Sequence, residues 1–348
     1  GWWQNSGKWC INFLYRFQKG CKSFKKNLLS DAVVHGSTKS RVCKKDVRED
    51  VFGLRANILE MQHKVLLRNY TTIKVGGLAE FLAEPSNIKD LIYLVNWAKK
   101  NDLKYRIIGA GSNLLINDQS LKGLTICTKK LKEIRADSQT GLIHAECGVM
   151  LPTMANTLVK NCCKGGSWTI GIPGTIGGAI FMNAGSGNCS ISEHLISVNV
   201  IDTENLKVFT IYKKDLNFKY RFSSFQMNNL VILSANFQFE PNGIMQSISK
   251  ETKENLKRKI DSQPYHLPSF GSVFKNPDNK FAGKLIEDCG LKGYKIGGAQ
   301  VSTMHANFIV NNKNASSAHI CELISLIQQK VQQKTGIFLH PEVRMIGF

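Results

Sequence analysis

The chain has 348 residues, 43% of them hydrophobic and 21% charged, the balance of a globular protein with room for two or three structural domains. No apolar run reaches the roughly 18 residues of a bilayer-spanning helix, which excludes that class. The net charge is +20, and residues 1–50 are the most lopsided part, with 11 Lys+Arg against 4 Asp+Glu. A positive field of this size suits an anionic ligand. Nucleic acid would suit it too, but the downstream lysines are scattered along amphipathic segments and form no nucleic-acid module, which favours a small anion. The ten cysteines include no CxxC pair, and Cys162 and Cys163 are adjacent. They read as thiols of a reducing compartment, used as small core residues. The eight histidines show no metal-ligand spacing, so no metal is expected.

Residues 1–60 mix basic and aromatic residues with few acids, and no periodicity is sustained. They read as a basic extension, either an organelle transit segment or a solvated tail. The opening Gly1 in place of Met reads as a processed or partial chain. From Asn69 the pattern becomes regular. "FLAEPSNIKDLIYLVNWAKKND" predicts a strand, a turn and an amphipathic helix with Ser86 as its N-cap. "KYRIIGAGSNLLI" predicts two strands around a glycine turn. "LIHAECGV" predicts a strand and "LPTMANTLVKN" a helix. "GIPGTIGGAIFMNAGSGN" reads as one long glycine-rich loop, and "DTEN" as the turn of a hairpin. Three helices follow: a polar one ended near Pro264, a short one closed by Gly290 and a longer one stopped by Gly336. The expected domains are 61–245, with subdomains of about 61–128 and 129–245, and 246–348.

Two stretches draw chemical interest. In "GAGSN", Gly109 to Asn113, glycines let a ligand approach the backbone and let amides converge on phosphate oxygens. Taken alone it is equally a tight turn with no ligand. It is not the dinucleotide fingerprint, because no helical pattern follows. In "GIPGTIGGAIFMNAG", Gly171 to Gly185, the glycines are flanked by apolar residues, as in a buried loop wrapped around a flat or extended cofactor. A glycine hinge is the alternative.

Seven segments taken together carry a resemblance: "NYTTIKVGG", "IIGAGSNLLI", "GIPGTIGGAIFMNAG", "KYRFSSF", "GSVFKNP", "LKGYKIGGAQVSTMHANFIVN" and "HPEVRMIG". Collinear from about Asn69 to Gly347, they resemble the UDP-N-acetylenolpyruvoylglucosamine reductase (MurB) family, in its shorter second type. The resemblance implies an α+β fold: a two-subdomain FAD-binding unit of the PCMH/vanillyl-alcohol-oxidase type and a C-terminal α+β substrate domain. It implies an enzyme with noncovalent FAD that NADPH reduces. Hydride then passes from flavin N5 to C3 of the enolpyruvyl UDP-sugar, and a proton is added at C2. The implied partners are the UDP-sugar and NADPH, with no nucleic acid and no membrane span, and the implied state is a monomer. The compartment is the bacterial cytoplasm, or a plastid or other organelle where residues 1–60 act as a transit segment.

Carried over by position, the resemblance makes Arg221, Ser272 and Glu342 catalytic. Arg221 would hold developing negative charge, Glu342 would stabilise or relay a proton near C2, and Ser272 would donate the proton. On residue type alone, Glu342 is equally a strand-edge partner of Arg344. Tyr220, Lys275 and Asn276 would touch the substrate. FAD would be held by Val75, Gly76, Gly109, Ala110, Gly111, Ser112, Asn113, Ile172, Pro173, Gly174, Ile176, Gly177 and Asn183. "SGNCS", Ser186 to Ser190, departs from the family pattern after "MNAG". An FAD-linked alcohol or hydroxy-acid oxidase of the same superfamily and a non-catalytic scaffold are the competing readings. Because no family segment lies at the start of the chain, deleting residues 1–55 is expected to leave activity and flavin content unchanged. A flavin-free or inactive product would contradict this.

Overall fold

The computed structural model describes residues 61–348, and the basic extension over residues 1–60 lies outside them. The first sheet contains β1 (Met61–Leu66), β2 (Leu78–Ala83), β3 (Tyr105–Ile108) and, beyond β4 (Leu114–Ile116), β5 (Leu121–Cys127). Its strand order is β1-β2-β5-β3, antiparallel at the first pair and parallel elsewhere. Helix α1 (Ile88–Lys100) forms the crossover between β2 and β3 and buries Leu91, Leu94, Val95 and Ala98 as one helical stripe. Its N-cap is Asn87, not Ser86. The Asn87 carboxamide accepts from the Asp90 amide at 2.9 Å, while the Ser86 amide donates to the Asp90 carboxylate.

The second sheet begins with β6 (Ile134–Ala136) and β7 (Leu142–Glu146). Helix α2 (Leu151–Lys160) follows, and then a five-residue 3-10 turn, Ser167–Gly171. The expected glycine-rich loop is interrupted by helix α3 (Ile176–Met182). Thr175 caps it, and Ile176, Ala179, Ile180 and Met182 form the buried stripe that outweighs the helix-breaking tendency of Gly177 and Gly178. A small hairpin, β8 (Gly185–Ser186) and β9 (Cys189–Ser190), and a short helix α4 (Ile191–His194) lead into β10 (Leu195–Asp202). Strand β11 (Val208–Tyr212) returns beside it, with Asp202 to Leu206 closing the turn. A second small hairpin, β12 (Phe218–Lys219) and β13 (Phe222–Ser223), precedes β14 (Leu230–Gln238). This antiparallel sheet has the order β11-β10-β14-β7-β6. Its inner face and the first sheet share one core, including Ile143, Ala145, Val198, Ala235 and Phe237 with Leu124 and Ile126.

Helix α5 (Met245–Ser262) is polar, with only Ile248 and Thr252 buried. Beyond it, β15 (Ser269–Ser272), helix α6 (Ala282–Asp288), β16 (Lys295–Ile296), β17 (Ala299–Val301) and β18 (Phe308–Asn311) form an antiparallel sheet, β15-β18-β17-β16, with its helix. Helix α7 (Ser317–Thr335) packs Ile320, Leu323, Ile324, Ile327 and Val331 into the core below this sheet. Gly336 ends it at φ +72°, the left-handed conformation of a helix C-terminus. The chain then ends in a separate two-stranded parallel sheet, in which β19 (Arg344–Ile346) lies beside β4. Cys127 is buried, Cys147 and Cys163 are buried in the apolar core, and the seven described cysteines are all unpaired. No described helix is long and apolar enough to cross a membrane.

Candidate active site

The two glycine-rich segments meet. A Cβ on Gly109 would collide with the Thr175 hydroxyl, and one on Gly174 would stand 3.5 Å from the Ser112 hydroxyl. Gly111 has φ +67°, and a Cβ there would strike the Tyr70 carbonyl. Only glycine fits both demands. The turn is fixed by the Thr72 amide, which donates to Gly111 O at 3.3 Å. The amides of Ala110, Gly111, Ser112 and Asn113 donate to no backbone or side-chain acceptor among the described residues. A run of such N–H groups on a glycine turn is suited to an anion.

Asn183 ends α3 in the left-handed conformation, φ 46°. Its Nδ2 donates to Lys219 O at 2.9 Å, whereas its Oδ1 is buried without a partner. An orphaned buried acceptor calls for a donor from outside the chain. With Ile172, Pro173 and Gly174 partly or fully exposed beside the cradle, these groups fit a cofactor that offers both phosphate oxygens and ring or chain donors, as FAD does. Three of the expected contacts lie further back. The Val75 and Ile176 side chains are core residues, the Ile176 amide donates to Val149 O, and the Gly177 amide donates to Cys147 O. Gly177 lets α3 approach Cys147, where its Cβ would stand 3.0 Å from the cysteine Cβ. Gly76, at φ +139°, sits against Ile116 and the Arg68 backbone.

Arg221 lies in the turn between β12 and β13 and adopts φ +53°, a strained conformation for a residue with a side chain. Gln226 Nε2 reaches the Arg221 carbonyl at 3.4 Å, and Arg221 Nη2 donates to Gly185 O at 3.3 Å. Arg221 Nε stands 2.7 Å from Glu342 Oε1, with both side chains largely buried. That N–H does not point along the contact, so the pair is held by charge rather than by an aligned hydrogen bond. The sequence alternative of a Glu342–Arg344 pair is not formed; the Arg344 guanidinium lies over the Phe181 ring. Burial pushes the Glu342 carboxyl above the usual range, while the charges of Arg221 and Lys275 pull it back.

Glu342 is positioned by backbone pairing. Its amide donates to Val273 O at 2.7 Å, and the Lys275 amide donates to His340 O at 2.9 Å. Ser272, at the end of β15, is thus one residue from the strand position opposite Glu342. Gly271 precedes it at φ +78°, with open space on the side where a Cβ would be. The Asn113 carboxamide donates to Glu342 O at 3.2 Å, and the Arg344 amide donates to Asn113 O. The Gly109–Asn113 turn and Glu342 are therefore joined directly. Tyr220 is exposed; its hydroxyl accepts from the Asn276 amide at 3.3 Å and its ring lies 5.0 Å from the Arg221 guanidinium. The Asn276 carboxamide itself caps α6 by accepting from the Ala282 amide.

The sequence reading missed Lys259 and His305. Burial, and then the charge of Arg221, lower the Lys259 pKa. Burial also holds the His305 imidazole below its ordinary value. The helical spacing of Glu251, Asn255 and Lys259 was the available signal for the first.

Residues 79–210 match the model of an FAD binding domain, and residues 263–346 match the model of the UDP-N-acetylenolpyruvoylglucosamine reductase C-terminal domain. Fold and site define an FAD-dependent oxidoreductase of the PCMH-type α+β architecture. A reductase of that name from Prochlorococcus marinus subsp. pastoris is 61% identical over 290 residues, covering 83% of this chain and 98% of that protein. One from a Synechococcus strain is 46% identical over 289 residues, covering 83% and 95%. The crystal structure of the enzyme from Thermus caldophilus superposes with a TM-score of 0.69 at 28% identity, over 82% of this chain and 98% of that one. The chain belongs to the UDP-N-acetylenolpyruvoylglucosamine reductase family. Its cofactor is FAD.

The cradle supplies a test. Gly111→Ala is expected to weaken FAD binding at least about tenfold, because the new methyl meets both the Tyr70 carbonyl and an unfavourable φ. Flavin content after purification and a fluorescence titration would read it. Unchanged affinity would remove the turn from the FAD site.

Proposed function

We propose that this chain reduces UDP-N-acetylenolpyruvoylglucosamine to UDP-N-acetylmuramate, a step of peptidoglycan precursor synthesis. The observation that carries the reading is the buried Arg221–Glu342 contact beside the strand that bears Ser272. FAD, when bound, supplies the hydride that reaches C3 of the enolpyruvyl group, having taken it from NADPH.

The residues of the chain do the rest. Negative charge develops at C2 and on the attached carboxylate as C3 accepts hydride. Arg221 keeps its charge at any working pH and faces that position with donors not committed to Glu342. Ser272 gives its hydroxyl proton to C2. A hydroxyl is a weak acid, but a carbanion or enolate is basic enough to take its proton. Glu342, with a raised pKa, holds or relays a proton beside the same carbon. Tyr220, Lys275 and Asn276 hold the UDP-sugar. The work is assigned to the bacterial cytoplasm, or to a plastid where residues 1–60 direct import, and to a monomer of two units, 61–245 and 246–348.

The function is tested by colour. Purified protein should be yellow and bleach with NADPH. Without oxygen it should recolour only when UDP-N-acetylenolpyruvoylglucosamine is added. Fast recolouring in air alone would favour an oxidase, and a colourless protein a scaffold. Ser272→Ala is expected to leave flavin reduction by NADPH nearly intact and to slow reoxidation by substrate about 10²–10⁴-fold. Stopped-flow absorbance separates the two half-reactions, and equal losses in both would make Ser272 structural.

A further inference from the structure

Helix α5 is polar almost throughout, yet one of its stripes is committed to a single neighbouring turn. Glu251, Asn255 and Lys259 recur every four residues and so share a face. All three meet the 3-10 turn Ser167–Gly171. Asn255 Nδ2 donates to Ser167 Oγ at 3.1 Å, and Ser167 Oγ donates to Glu251 Oε1. Arg258 Nη2 donates to Asn255 Oδ1 at 2.7 Å. The result is a directed chain, Arg258 to Asn255 to Ser167 to Glu251, that begins on a cation and ends on a carboxylate. In such a chain each bond polarises the next. Ser167 at its centre is buried.

The other end of the turn is held as well. The Lys259 stem packs against Gly171 so closely that a Cβ on the glycine would stand 2.7 Å from Lys259 Cγ. Tyr265, just beyond α5, donates its hydroxyl to Gly171 O. Immediately after Gly171 come Ile172, Pro173, Gly174 and Thr175, the segment packed on the Gly109–Asn113 cradle.

We propose that Glu251 and Asn255 are positioning residues that, through Ser167, form a latch fixing the Gly171–Thr175 turn and with it the seat of FAD. The proposal rests on the FAD assignment above and deepens it. Neither residue touches the cradle; each acts through Ser167.

The test measures FAD affinity of the full chain by flavin fluorescence, with visible circular dichroism of the bound flavin and hydrogen exchange across residues 167–175. Ser167→Ala and Asn255→Ala are each expected to weaken FAD binding about tenfold, the worth of one strong hydrogen bond. The double variant should bind within twofold of either single, because one latch opens once. Ser167→Thr, which keeps the hydroxyl, should restore wild-type affinity, and Lys253→Ala, on the exposed face of α5, should not change it. Exchange should rise at residues 171–175 while Tm stays within a few degrees. Single variants within twofold of wild type, or losses that add in the double variant, would overturn the latch. A wild-type chain that takes up no FAD would instead overturn the assignment beneath it.

Discussion

A carboxylate taken out of water needs a cation, and the placement of Glu342 beside Arg221 meets that need at a cost met elsewhere in the fold. Removing one member of such a pair typically costs about 3–5 kcal/mol, because the other is left buried and unpaired. The pair therefore constrains both elements that carry it. Arg221 reaches it from a left-handed turn that an arginine does not favour, and Gln226 and Gly185 hold that turn. Glu342 reaches it from a segment pinned to Val273 on one side and Asn113 on the other.

Glycine serves two separate purposes around the Gly109–Asn113 turn. Gly111 is needed for its backbone angle and its nearness to Tyr70, whereas Gly109, Gly174 and Gly177 are needed because another segment comes close. The first kind shapes the turn itself. The second lets Thr175, Ser112 and Cys147 pack against it. Together they bring two glycine-rich stretches, far apart in the chain, against each other.

Much of this was legible in the sequence. Period-2 and helical patterns located β7, α2, β10 and α7, and the left-handed cap at Gly336 matched its glycine. The motif resemblance singled out Arg221 and Glu342 from distant segments, and the fold brings them into contact. The failures have local causes. Ser86 and Asn87 are both good caps, and the Asp90 amide, three residues past Asn87, decides between them. Helix α3 was hidden because its glycines suggested a loop, while its stability comes from four buried side chains that periodicity alone could not place. Lys259 falls in a stretch that the sequence marks only as a polar helix. Its environment depends on Gly171, nearly ninety positions earlier, and no local pattern reports that.

The pairing of β19 with β4 has a consequence in time. Asn113 and its partner Glu342 are separated by 229 residues. At ribosomal speeds of about 5–20 residues per second, that interval lasts roughly 10–45 s. Throughout it the nascent cradle stands with its Glu342 and Arg344 partners still unmade. The join between Asn113 and the Glu342–Arg344 segment is thus a late product of synthesis, made only once the end of the chain has left the ribosome.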